Sequence, residues 1–228
     1  MNSRGRAALQ FGVFTTVFFA AWTLRATTLY GIDETIQSPA WRAAYSNLVK
    51  LLLWVLPAAG FVRWIRKSVP LEYLGLSGFP NRHQWQRCLI MTAAFLLVVS
   101  AFALSLGSKS FSIARVTSLP LAVGLLSFVL SPFLEEILFR GFMLREFLSF
   151  WPLAIANTFT SLLFVAVHVP FWLAHGGLTA AVWANLGGVF LFSLLAGWLS
   201  ATSRSVYPAT LAHIGNNLLA ALLVTRGA

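Results

Sequence analysis

The residues of this chain that can do chemistry are few and recur at helical spacing. Glu135 and Glu136 are adjacent, Arg140 follows Glu136 by four residues, Phe164 precedes His168 by four, and His213 precedes Asn217 by four. An acid four residues before a base shares a helix face with it, in the orientation favoured for an ion pair, so Glu136 and Arg140 are expected to pair. Glu135 projects about 100° away from Glu136, and one guanidinium cannot serve both carboxylates equally. One glutamate is then structural. The other is left incompletely compensated, which suits general acid/base work. From the doublet alone, a protonated glutamate that merely bonds neighbouring helices together is an equal reading.

A carboxylate, two imidazoles and a carboxamide around shared water suit hydrolysis of an acyl bond. Glu135, oriented by His168, would take a proton from water attacking a peptide carbonyl and return it to the leaving amine. His213 and Asn217 carry donors for the developing oxyanion. No Ser, Thr or Cys stands at a spacing that demands a nucleophile, and Ser131, Thr160 and Ser161 are expected to bond to helix carbonyls. No cofactor is expected. Zinc is a minority alternative, because Glu and two His are acceptable ligands of an open site, but the H-E-x-x-H pattern on one helix is absent. The single Cys88 excludes an internal disulfide and any multi-cysteine metal site.

These residues lie in a chain of 228 residues that is 58% hydrophobic and only 10% charged. Soluble domains carry roughly 25% charged residues, so the fold class is all-α, a polytopic transmembrane helix bundle. A charge at the bilayer centre costs about 2.5–3.5 kcal/mol, so the three in SPFLEEILFRG (131–141) require partners, a water-filled cavity or both. Apolar runs suggest about seven spans, near 7–29, 46–65, 88–107, 119–145, 153–174, 180–200 and 206–224, within a range of six to eight. The first resembles a signal peptide at its start but lacks a small-x-small cleavage site, and reads as a retained helix. One integral membrane domain results, with residues 1–118 carrying the N-terminal spans and an interfacial segment, and residues 119–228 the catalytic core in the last four spans.

The formal charge of +10 would raise nucleic acid as a partner in a soluble protein. Here the basic residues flank apolar runs, so the partners expected are the bilayer and a membrane protein or peptide substrate, with no nucleic acid. Arg4, Arg6, Arg63, Arg66, Lys67, Arg82, Arg87, Arg145 and Arg204 fall on one side, against Arg42, Lys109, Arg115 and Arg226 on the other, with Arg25 and Lys50 near span ends. The N-terminus is therefore expected in the cytoplasm. The stretch between the second and third spans reads as a short interfacial segment, broken by Pro70, Gly75, Gly78 and Pro80. Arg145 and Glu146 are also expected at the interface, His83 and His175 on the surface, and Asn157 and Asn185 as interhelical hydrogen bonders. Glu135 would lie about 15 Å inside the membrane from Arg145, with His168 as deep or deeper, in a cavity opening to the cytoplasm.

The ordered set Glu135-Glu136-x-x-x-Arg140, Phe164-x-x-x-His168 and His213-x-x-x-Asn217, on successive apolar helices, resembles the CPBP family of intramembrane proteases. That family includes the type II CAAX prenyl endopeptidases and Abi-like bacteriocin-processing or immunity proteins. The resemblance covers about residues 119–224, and LEYLGLSG (71–78) looks like the family's short segment before its core. It implies an intramembrane endopeptidase of glutamate type, formerly described as metal-dependent, in which Glu135 and His168 activate water, Glu136, Arg140 and Phe164 support them, and His213 with Asn217 forms the oxyanion site. The compact size points to a bacterial inner (cytoplasmic) membrane. Two rivals remain: a non-proteolytic scaffold or immunity protein of the same family, and a proton-coupled transporter. The transporter is the weaker, since transporters often show repeated halves and here the polar chemistry is all in the second half.

Overall fold

The computed structural model describes residues 2–105 and 109–225; Arg226 lies outside them. The bundle contains α1 (Ser3–Thr27), α2 (Pro39–Ile65), α3 (Arg82–Ser105), α4 (Leu121–Leu148), α5 (Leu153–Ala174), α6 (Ala180–Ser203) and α7 (Tyr207–Leu222). Among the described residues six helices are long and apolar enough to cross a membrane, α1 being extended by a short turn of helix at Gly31–Thr35. The seventh, α7, has 16 residues and spans about 24 Å, short of a full crossing of about 30 Å. A small antiparallel ribbon, β1 (Lys109–Phe111) with β2 (Leu223–Thr225), is an addition to the all-helical expectation. It ties the C-terminal end of α7 to the connection before α4.

α4 is the axis of the bundle. A helix apolar on all sides buries best at the centre, and every residue from Glu136 to Leu144 is buried. Phe142 meets Phe11 and Phe14 of α1 and Phe61 of α2 edge to face, and Phe139 meets Trp54 of α2 and Phe164 of α5 in the same way. α6 packs on α5 and α7, and α3 on α7. Large side chains such as Leu97, Val98, Leu121 and Leu162 point outward, as a lipid-facing surface requires. Stretches of wider π-helical turns interrupt α2 at Leu51–Val55 and Phe61–Ile65, and α4 at Leu125–Leu130 and Ile137–Met143. Such turns cluster at functional sites, and here they bracket Glu135 and Glu136.

The stretch between α2 and α3 is short and irregular, with edges that differ from expectation. Arg82 begins α3, so HQWQR is helical, while Pro70–Tyr73 forms one helical turn. The following loop is clasped by the core: Tyr207 donates from its hydroxyl to the Leu76 carbonyl at 2.8 Å, and the Val206 amide to that of Gly75 at 3.3 Å. Gly141 lies against it, because a Cβ there would come within 2.6 Å of the Leu74 carbonyl oxygen.

Two expectations change, those for Glu146 and Asn185. Glu146 is fully buried and not open to solvent, held by the Arg66 guanidinium and by the Tyr73 hydroxyl at 2.6 Å. Its anion raises the affinity of Arg66 for its proton, and burial pushes the Tyr73 hydroxyl well above its ordinary value. Asn157 bonds between helices, to the Leu194 carbonyl at 2.9 Å, but Asn185 is exposed and makes no such bond among the described residues. His83 is exposed as expected; His175 is exposed too, with its ring stacked on Phe171.

Candidate active site

α4 delivers the two glutamates on different sides, as the 100° step requires. Glu136 is fully buried, and its Oε1 accepts from Arg140 Nη1 at 2.9 Å. Arg140, equally buried, donates through Nη2 to the Ser193 hydroxyl at 2.8 Å and the Ser193 carbonyl at 3.1 Å, which locks α4 to α6. Its guanidinium carbon sits 4.5 Å from the centre of the Phe164 ring. A guanidinium suits this place because it donates in several directions and still stacks on an aromatic face. Phe164, also buried, contacts the rings of both His168 and His213, so it separates and positions the two imidazoles.

Glu135 faces a partner that the spacing did not reveal. Lys50 of α2 donates through Nζ to Glu135 Oε1 at 2.5 Å and to Ser131 Oγ at 2.5 Å, and Ser131 in turn lies 3.3 Å from Glu135 Oε1. Glu135 is therefore not left uncompensated, and Ser131 serves this cluster instead of a helix carbonyl. The sequence signal was present: Lys50 sits inside SNLVKLLLWVL, and a cation in such a run needs an anion within reach. With Lys50 included, two carboxylates face two cations, and the cluster is neutral without the histidines. The site thus draws on α2 as well as the last four helices.

His168 is positioned by a break in α5. Pro170 has no amide hydrogen to continue the helical ladder, and the His168 amide bonds back to Val165 at 3.0 Å instead of to Phe164. The Phe164 carbonyl, freed of that duty, lies 2.7 Å from His168 Nδ1. A carbonyl only accepts, so Nδ1 carries the hydrogen, and the neutral ring presents a lone pair at Nε2. His168 is half-buried and within electrostatic range of Glu135, Lys50 and His213.

His213 bridges the glutamates. Its Nδ1 is 2.7 Å from Glu136 Oε1 and its Nε2 is 3.8 Å from Glu135 Oε2. Asn217 lies one turn further along the same face of α7, half-buried, with no hydrogen bond among the described residues. Thr160 bonds to the Ala156 carbonyl at 2.8 Å as expected, whereas Ser161 is buried with an unpartnered hydroxyl. Among the described residues no group of three His, Cys, Asp or Glu is arranged to hold a metal ion.

A cavity of about 330 Å³ reaches Ser131 from between α2 and α4, and it opens at the connection between α1 and α2. That is the face of the bundle away from the N-terminus, not the N-terminal face on which an opening was expected. Glu135 keeps 13% of its side chain exposed and Lys50 12%, against none for Glu136.

A polytopic bundle thus gathers two carboxylates, two cations and two imidazoles midway along its apolar helices. Residues 117–219, which carry the site, match the family described as Rce1-like, type II CAAX prenyl endopeptidase. The match takes in Glu135, Glu136, Arg140, Phe164, His168, His213 and Asn217, but not Lys50. No curated protein and no solved structure matches the chain.

Proposed function

We propose that this protein hydrolyses a peptide bond in a membrane-anchored protein or peptide, with Glu135 as the base that activates water. The water oxygen bonds to the carbonyl carbon while its proton passes to Glu135; as the C–N bond breaks, that proton goes to the leaving amine. Lys50 fixes Glu135 through Oε1. Oε2 is then the oxygen turned toward His213, and an oxygen atom at the apex above the 3.8 Å separation would lie within hydrogen-bond reach of both. His168, with its lone pair at Nε2, assists in taking the proton from water.

The oxyanion role divides unequally between its two candidates. Because His213 Nδ1 faces the Glu136 carboxylate, a neutral ring holds its hydrogen there and has only a lone pair at Nε2. It donates to an oxyanion only as imidazolium. The Asn217 amide donates in any protonation state, and its unpaired carboxamide suits that task.

The observation that carries this reading is the convergence of Glu135, His213 and Lys50 from three helices around a carboxylate that remains partly accessible, beside a glutamate that is wholly enclosed. Its test is quantitative proteomics of membrane peptides from cells carrying the wild-type protein or Glu135→Gln. Products present only with wild type support it. Identical peptide sets, together with an unchanged cellular phenotype, favour the scaffold. Zinc is tested on the same cleavage: a chelator that abolishes it and added zinc that restores it would replace glutamate-only catalysis.

A further inference from the structure

The cavity that ends at Ser131 has an ordered polar lining that no catalytic role accounts for. Val123, Ser127, Ser131 and Glu135 follow at intervals of four along α4, so the hydroxyls form a stripe that descends to the carboxylate. On the facing side of α2, Ser46 and Asn47 line the same cavity one turn before Lys50. The Asn47 amide nitrogen donates to the Ala43 and Leu126 carbonyls at 2.8 and 3.0 Å, which fixes its orientation across the α2–α4 seam. Its Oδ1 is left buried without a hydrogen-bond partner among the described residues, although the side chain is only 5% exposed. Tyr30 and Arg42 stand at the mouth, where Arg42 is tied to the Ile36 carbonyl at 2.9 Å.

A polar seam within the membrane-spanning part of a bundle exposes groups that lipid cannot satisfy. An unpartnered buried amide oxygen needs a donor, and the cavity is far larger than the roughly 10–15 Å³ that one water requires. A peptide fits the lining less well than water does, because the apolar groups Tyr30, Pro39, Ala43 and Val123 are interleaved with Asp33, Arg42, Asn47 and three serines and form no separate side-chain pocket. We propose that this passage is the water inlet of the enzyme, delivering hydrolytic water to Glu135 from the face away from the N-terminus while the substrate occupies another approach. The inference rests on the hydrolase reading of Glu135. Each turnover consumes one water at a buried carboxylate, so the inlet keeps the site supplied when a bound substrate closes the remaining access.

The experiment is cysteine accessibility in sealed vesicles, in a Cys88→Ala background that removes the only native thiol. Ser46→Cys and Ser127→Cys are treated with a small charged thiosulfonate that cannot cross the bilayer, added from either face, with Leu125→Cys as the outward-facing control. A thiol in water ionises and reacts, whereas one facing lipid is inert, so the expected labelling is roughly tenfold faster at Ser46 and Ser127 than at Leu125, and only from the face opposite an N-terminal tag. Labelling no faster than the control, or from the N-terminal face, overturns the inlet. Ser127→Trp should fill the seam, suppress labelling of Ser46→Cys and lower kcat, with Ser127→Ala keeping the wild-type rate; an unchanged kcat in the tryptophan variant also overturns it. Labelling is read equally well in Glu135→Gln. An accessible passage in a chain that never cleaves refutes the hydrolase, and an active enzyme with unlabelled cysteines refutes only the inlet.

Discussion

Arg140→Met tests whether the enclosed carboxylate is held as an ion pair. The wild-type guanidinium has no exposed surface and meets Glu136 at 2.9 Å, the Ser193 hydroxyl at 2.8 Å and the face of Phe164. Methionine fills much of the space but leaves Glu136 with His213 as its only hydrogen-bond partner. Removing one member of a buried pair costs about 3–5 kcal/mol, most of it the penalty of stranding the other charge. Glu136→Gln combined with Arg140→Met strands nothing, and should cost only about 1–2 kcal/mol, mainly for the unpaired Ser193 groups. The two substitutions are thus coupled by at least about 2 kcal/mol. The assay is chaotrope unfolding of the detergent-solubilised protein, followed by the fluorescence of its nine tryptophans. A double variant no more stable than Arg140→Met would refute the reasoning, as would a loss below about 1 kcal/mol for Arg140→Met.

Glu135→Gln keeps the shape and acceptor of the side chain but removes the base, so cleavage should fall by roughly 10²–10⁴, with a stability loss of up to about 3 kcal/mol for the Lys50 cation left without its anion. Lys50→Met frees Glu135 to rotate, and a misplaced base should lower kcat by roughly 10² in a turnover assay, with Lys50→Arg recovering part of it. Gly141→Ala drives a methyl into the Leu74 carbonyl, and should cost about 1–3 kcal/mol of stability while shifting the 70–78 segment, seen as faster proteolysis there. Tyr73 has its proton affinity raised in the folded state, so the unfolded chain ionises first, and stability should decline above about pH 10 by about 1.4 kcal/mol per pH unit. Tyr73→Phe should remove that alkaline limb from a plot of Tm against pH.

How much of this could be read from the chain depended on distance along it. Glu136–Arg140 and Phe164–His168 lie within one helical turn, and intervals of four with one proline were enough to anticipate the pair and the break. The partners that went unread are remote. Lys50 meets Glu135 across 85 residues, and Arg66 meets Glu146 across 80. Each basic residue lay close enough to the end of an apolar run to pass for an interfacial charge. Glu146 shows the same ambiguity from the acidic side, since only the folded position of the 70–78 loop decides whether it meets water or Arg66. His213 Nδ1 lies against the enclosed Glu136 and only its Nε2 approaches the proposed base Glu135, which no spacing on α7 reveals.

The brevity of α7 has a consequence for the lipid around it. At about 24 Å it is matched to a thin bilayer, while its neighbours reach further. In thicker acyl chains the bilayer must dimple beside α7, or α7 must slide toward one leaflet and carry His213 and Asn217 with it. The rate of the proposed cleavage should then report membrane thickness, falling as reconstitution lipids lengthen.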